Sequence, residues 1–211
     1  TYLADTNNWF HNYEKRRNQL IQQQLKPEES RNCMVLSDEF EIDLVAHEPD
    51  IMNPIDMTWD DRGRMLVAIT MDYPRIQKEG SDRVLLCEDK DGDGKADSFT
   101  TFAEGFSLIT GMCWVNGGLI LAQAPDMFFV KDTDGDDQAD LYEKINTGWG
   151  INDTHGGPSN LRYGLDNKIY GCVGGGGYFS GQMRFSGGIW RMEVDGSGFT
   201  PISNFGGNSW G

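Results

Sequence analysis

Two nine-residue acidic loops recur in this chain: DKDGDGKAD at 89–97 and DTDGDDQAD at 132–140. They start 43 residues apart, and each lies between two apolar runs. Recurrence on that scale marks a repeated supersecondary unit, which bounds the fold more tightly than a single motif does. Three units share one plan. The first joins MTWDDRGRMLVAIT (57–70) to RVLLCEDKDGDGKADSFTTFAEGF (83–106). The second joins GMCWVNGGLILAQAP (111–125) to MFFVKDTDGDDQADLYEKINTGW (127–149). The third joins NLRYGLDNKIYGCVGG (160–175) to GGIWRMEVDGSGFTPISNFGG (187–207). Each reads as a strand, a short turn (DDRG, VNGG or GLDN), an apolar strand, a loop, a third strand, an Asp/Gly turn and a fourth strand. The Asn-Gly and Asp-Gly steps supply the positive φ that tight hairpins need. The units recur about every 50 residues, the size of a four-stranded propeller blade. The expected fold is therefore all-β, a partial β-propeller of about three four-stranded blades, with a meander or sandwich as the alternative. Three blades are fewer than the four to eight that close a ring. Further C-terminal blades or other protein chains are expected to complete it.

The rest of the chain fits that frame. Glycine, at 27 of 211 residues, suits many tight turns. The formal net charge of -15 argues against nucleic acid, which needs clustered Lys and Arg. No run approaches the ~20 apolar residues that span a bilayer, so no transmembrane segment is expected in this chain. Four cysteines (Cys33, Cys87, Cys113, Cys172) form no CxxC or CxxCH pair, leaving buried thiols or a disulfide open. Residues 7–30 lack glycine, and Trp9, Tyr13 and Leu20 approximate one helical face, with Pro27 marking the end. This gives a helical extension over 1–37 and a partial propeller over 38–211. FEIDLVA at 40–46 alternates apolar and polar residues, the pattern of a half-buried strand.

The acidic loops read as metal sites. Asp89, Asp91, Asp93 and Asp97 take positions 1, 3, 5 and 9 of an EF-hand-like loop, with Gly94 at the sharp turn. Asp132, Asp134, Asp136 and Asp140 repeat the spacing, with Asp137 where glycine is expected and Glu143 at position 12. Lys95 and Gln138 stand at position 7, which contributes a backbone carbonyl. Oxygen ligands this crowded repel one another without a cation, and calcium suits their number and flexibility. Strands rather than helices flank them, which points to structural clamping.

The most chemistry-like segment is NDTHGGPSN at 152–160. His155 could take a proton from an alcohol, with Asp153 orienting its ring; a turn-forming histidine is the bland alternative. Asn160 could hydrogen-bond a polar ligand. The run GCVGGGGYFSGQMRFSGG at 171–188 is neither a Rossmann nor a P-loop pattern, and reads as a flexible lid or a blade insertion. Arg184 within it could meet an anion. Tyr73 and Arg75 follow an inner strand and could face the same channel.

Taken together, FEIDLVAHEPDIMNPIDMTWDDRGRMLVAITMDYP, the two acidic loops, NDTHGGPSNLRYGLDNKIYG and GIWRMEVDG resemble the membrane-bound dehydrogenase domain of planctomycetes and Verrucomicrobia. The resemblance covers residues ~38–211 and extends distantly to the soluble sugar dehydrogenases that use pyrroloquinoline quinone (PQQ). It implies a six-bladed, membrane-associated propeller, exported to the periplasm or cell envelope. It also implies PQQ beside calcium, and a cytochrome c partner or domain that takes the electrons. His155 would be the base and Asp153 its partner, although Thr154 separates two residues that are adjacent in the distant enzymes. Tyr73, Arg75, Asn160 and Arg184 would face the cofactor. Three functions stay open: a PQQ-dependent dehydrogenase of sugar-like alcohols; a non-catalytic, calcium-stabilised propeller acting as a binding or assembly module in an envelope complex; or a hydrolase such as a lactonase, which would need a calcium at the channel centre.

Overall fold

A computed structural model describes residues 25–76 and 79–204. The chain divides after Leu44 into two units. In the first, α1 (Pro27–Arg31) is a single helical turn. The Glu29 carboxylate accepts the Lys26 main-chain N–H at 3.2 Å. Pro27 was expected to end a helix and instead opens one, because its missing N–H costs nothing at the first helical position. The helix expected over residues 7–24, with Trp9, Tyr13 and Leu20, lies outside the described residues.

The predicted strand at 40–46 is not formed. Burial still alternates from Glu41 to His47, but the segment pairs with no strand. Among the described residues its one backbone tie from 41 to 46 is Ala96 N–H to the Val45 carbonyl, at 2.8 Å. Alternation sets which side chains point inward; a strand also needs a neighbour along its edge.

The second unit contains three four-stranded antiparallel sheets. Sheet 1 is β1 (Pro54–Trp59), β2 (Met65–Ile69), β3 (Asp82–Glu88) and β4 (Ser98–Phe106), paired in chain order. Sheet 2 is β5 (Gly111–Val115), β6 (Gly118–Gln123), β7 (Asp126–Lys131) and β8 (Leu141–Thr147), also in chain order. Sheet 3 pairs β9 (Ser159–Tyr163), β10 (Lys168–Val173), β13 (Gly188–Glu193) and β14 (Thr200–Asn204). A hairpin of β11 (Tyr178–Ser180) and β12 (Met183–Phe185) is inserted between β10 and β13. The first strands pack side by side, β1 beside β5 and β5 beside β9. The sheets thus follow one another as propeller-like blades do.

The apolar runs explain this stacking. In β6, Leu119, Ile120, Leu121 and Ala122 are all fully buried. Successive strand residues point to opposite faces, so sheet 2 is covered on both sides. Leu119 and Leu121 join Leu66, Ala68, Val84 and Leu86 of sheet 1. Ile120 and Ala122 join Ile169, Val173, Trp190 and Met192 of sheet 3. Each such Leu, Ile, Val or Met side chain contributes roughly 1.5–3 kcal/mol on burial. The β5–β6 hairpin turns on Asn116 and Gly117, with φ of 54° and 70°, the paired left-handed conformation of a two-residue turn. A Cβ on Gly171 would lie 2.4 Å from the Trp190 ring, so only glycine lets that indole lie flat on β10. Trp190 in turn sits 4.9 Å from Trp149, centroid to centroid. The four cysteines are free, with Cys87 and Cys113 buried.

Candidate functional site

Both acidic loops occupy outer hairpins, between β3 and β4 and between β7 and β8, and both are built on one hydrogen-bond scaffold. In the first, Asp89 Oδ1 accepts Gly92 N–H at 2.7 Å and Oδ2 accepts Gly94 N–H at 2.8 Å. In the second, Asp132 Oδ1 accepts Gly135 N–H at 2.7 Å and Oδ2 accepts Asp137 N–H at 2.9 Å. The bond from Gly94 N–H, with help from Gly92 and Asp93, holds the Asp89 carboxyl below its ordinary range. Burial alone would raise Asp132, but the N–H groups of Gly135 and Asp137 outweigh it and hold that carboxyl low as well. Both first-position carboxylates therefore stay ionised, as a cation requires.

The oxygens of Asp89, Asp91 and Asp97 lie within 4.8 Å of one another, and so do those of Asp132, Asp134 and Asp136. That spread fits one ion with oxygens at 2.3–2.6 Å. The two groups use different positions of the same loop. Asp93 lies outside the first group and accepts Lys95 N–H at 2.9 Å. Asp140 lies outside the second, its oxygens taken by the Thr133 hydroxyl at 2.6 Å and main-chain N–H at 2.9 Å. Gln138 donates its N–H to Asp136 at 2.9 Å. Glu143 stands in β8 opposite Phe129, beyond the loop and outside the grouped ligands.

Each loop also grips an earlier segment of the chain, the second loop strand β4 and the first the extended segment at Val45. Ala139 N–H donates to the Phe102 carbonyl of β4 at 2.7 Å, and Ala96 N–H makes the matching bond to Val45. A cluster between sheets 1 and 2 adds to this hold. Arg64 Nε donates to Asp60 Oδ2 at 2.8 Å. Its Nη1 reaches Glu88 Oε1 at 3.2 Å and Asp137 Oδ1 at 2.9 Å. Asp60 also accepts the N–H groups of Arg62 and Arg64. Burial pushes the Asp60 carboxyl up, but these bonds together hold it below its ordinary range. Sequence reasoning missed this cluster. DDRG reads only as a turn, and nothing in it announces partners 24 and 73 residues away.

His155 lies in the loop before β9, half-exposed. Asp153 Oδ1 accepts its main-chain N–H at 3.0 Å and sits 3.5 Å from its Nδ1. The Tyr73 ring meets the imidazole edge-on, with centroids 5.6 Å apart. Tyr73 is carried there by the loop after β2. The fully buried Asp82 fixes that loop, accepting Met71 N–H at 2.7 Å and Asp72 N–H at 3.0 Å. Beside Tyr73 lies a cavity of about 360 Å³, also lined by Asn53, Pro54, Ile55 and Thr70.

The glycine run after β10 backs the histidine loop directly. Gly174 and Gly176 N–H both donate to the Gly156 carbonyl, and Gly150 N–H donates to Gly177. A Cβ on Gly150 would lie 1.7 Å from the Gly176 carbonyl oxygen. The run is thus a packed backing followed by an inserted hairpin, which decides between the two readings of that segment. Arg184, exposed on β12, donates to the carbonyls of Gly181 and Met183 in its own hairpin. Asn160 sits in β9 with a left-handed φ of 52°. Arg75 is exposed, its N–H bonded to the Asp72 carbonyl. Among the described contacts, Tyr73 is the one of these four that touches His155.

A family described as a domain of unknown function (DUF7133) matches residues 26–211. The chain belongs to that family. No curated protein matches it in sequence. Among solved structures, this DUF7133 chain is similar to the holo form of a pyranose dehydrogenase PQQ domain from Coprinopsis cinerea. The identity is 17%, the TM-score 0.47, and the match covers 60% of this chain and 29% of that one. It is also similar to the iodide structure of Trichoderma reesei Carbohydrate-Active Enzymes Family AA12. That identity is 16%, the TM-score 0.49, and the coverage 67% and 34%. The calcium structure of the latter gives 15%, 0.48, 66% and 33%. The chain spans about a third of the length of these structures. At these scores the blade-like arrangement rests on the chain's own sheets.

The resemblance to a membrane-bound dehydrogenase domain is corrected on two counts. The family is DUF7133. Among the described residues no helix is long and apolar enough to cross a membrane, which overturns the membrane-associated reading.

Proposed function

We propose that this DUF7133 chain is a calcium-stabilised part of a β-propeller that acts as a binding or assembly module in an exported complex. The observation that carries this reading is the shared scaffold of the two loops. Each gathers ionised carboxylates on an outer hairpin, and each is tied by a main-chain bond to an earlier segment, Val45 for the first and Phe102 for the second. A calcium ion in such a loop would remove carboxylate repulsion and stiffen the rim where successive sheets meet. Calorimetric titration of the metal-stripped chain with calcium is expected to show two binding events. Melting in calcium against EGTA is expected to show a higher Tm in calcium. Absence of both effects would sink the reading. The open apolar side chains of β1, Met57 and Trp59, are 53% and 55% exposed and suit contact with further β-sheet.

One observation favours a second reading, oxidation of a sugar-like alcohol. His155, with Asp153 and Tyr73 beside it, opens to solvent at the entry to an inner strand. In that reading the imidazole accepts the hydroxyl proton and Asp153 restrains the loop that carries it. PQQ would supply the hydride acceptor and a cytochrome would take the electrons. The quinone is tested by adding PQQ and calcium to the purified chain with an alcohol panel. A reduced-quinone spectrum supports the second reading, and its absence leaves the module.

A further inference from the structure

The two loops differ at one position in a way that ties the second to sheet 1. In the first loop the sixth residue is Gly94, at φ +86° with nothing within 4 Å of a would-be Cβ. In the second it is Asp137, held at φ +67°. Left-handed backbone is strained for a residue with a Cβ, though aspartate tolerates it better than most. Asp137 uses that conformation. Its N–H fixes Asp132 Oδ2, as Gly94 N–H fixes Asp89 Oδ2. Its carboxylate meanwhile meets Arg64 of the β1–β2 turn at 2.9 Å. Arg64 is anchored from behind by Asp60 and by Glu88, the residue just before Asp89.

We infer that Arg64 is a positioning residue for the second ion loop. The Arg64–Asp137 pair is the latch through which an ion there tightens the packing of sheet 2 on sheet 1. The inference deepens the calcium reading and rests on it. One residue carries both links: its main chain orients the first-position carboxylate, and its side chain is held by the neighbouring sheet. Holding Asp137 from sheet 1 keeps Asp132 aimed at the ion, and an ion that fixes the loop holds Asp137 against Arg64. The dependence is reciprocal because both are equilibrium binding effects.

The test uses the full chain in a D89N/D91N background, which leaves the second loop as the ion site. Terbium luminescence and calcium calorimetry then compare three residues at 137. Asp137→Asn keeps the tolerance of left-handed backbone and loses the charge that Arg64 holds, and is expected to bind about tenfold more weakly than the parent. Asp137→Gly loses both strain and latch, as in the first loop, and is expected to bind within about threefold of the parent. Arg64→Met is expected to match the asparagine variant, and adding Asp137→Gly to it should restore affinity. Because Arg64→Met disturbs the buried Asp60, the aspartate–asparagine pair decides the matter if that variant does not fold. Asparagine binding as well as aspartate would overturn the latch. The unaltered chain run in parallel separates the two ideas: if it binds no ion at either loop, the calcium reading itself has failed.

Discussion

Replacing Asp60 with asparagine tests the buried cluster on which the rim depends. The Asp60 side chain is 3% exposed and accepts three hydrogen bonds, at 2.9 Å from Arg62 N–H and at 2.8 Å from both Arg64 N–H and Arg64 Nε. An asparagine oxygen can still accept the two main-chain donors. Its amide would then face the Arg64 Nε–H, so one charge-assisted bond is lost. Such a bond is worth about 1.5–3 kcal/mol. Arg64 keeps Glu88 and Asp137, so a loss of about 2 kcal/mol is expected at pH 7. For a body of this size that lowers Tm by roughly 4–8 °C. The sign with pH follows from the lowered folded-state value of Asp60, whose ordinary value is 3.8. A carboxyl held low contributes stability above its unfolded value and loses it as pH falls through the folded one. The gap between parent and D60N should therefore be flat from pH 7 to pH 5 and close below about pH 3.8. Urea melts of the metal-stripped chain in calcium-free buffer at several pH values measure it without contribution from the ion loops. A gap under 0.5 kcal/mol at pH 7, or one that widens on acidification, would refute the reasoning.

Three further outcomes are expected. At 5 mM calcium, a site with a dissociation constant near 10⁻⁴ M stabilises by about 2 kcal/mol, so melting in calcium should exceed melting in EGTA by several degrees. Gly150→Ala places a Cβ 1.7 Å from the Gly176 oxygen and should displace the His155 loop while leaving the sheets intact; imidazole NMR shifts against unchanged far-UV circular dichroism would show it. Trp190→Ala empties the centre of the aromatic cluster between sheets 2 and 3 and should cost about 3–5 kcal/mol, read in the urea midpoint.

The three sheets were legible in the sequence because their signals are local. LVAI, VLLC and LILA are runs buried on both faces, and Asn116–Gly117 announces its turn by composition. The 40–46 segment shows the limit of that logic. Its alternation matches the partial burial of Ile42, Leu44 and Ala46 between more exposed neighbours, yet pairing depends on a neighbour that the segment does not encode. Pro27 is compatible with either end of a helix, and its position relative to the helical residues decides which. Spacing offered four aspartates in each loop, of which three group in each, leaving Asp93 and Asp140 outside. Asp137 looked like a defect in the second loop because its partner, Arg64, lies in another unit of the repeat. Long-range ion pairs leave no period in a sequence, so the contacts that join the sheets are harder to read than the sheets.

The grip of each outer turn on the segment of chain before its sheet gives the series of sheets a direction. Ala96 holds Val45, Ala139 holds Phe102, and the Gly196 carbonyl of the β13–β14 turn accepts the Asn146 side chain of β8. The apolar faces have no such direction, since leucine and isoleucine ridges accept many neighbours of similar shape. Exchanging two sheets could therefore preserve the buried core and still break every rim contact. The solvent-facing rim therefore carries part of the order of the sheets, beside inner contacts such as Met112 N–H to Asp56 Oδ2 at 2.9 Å.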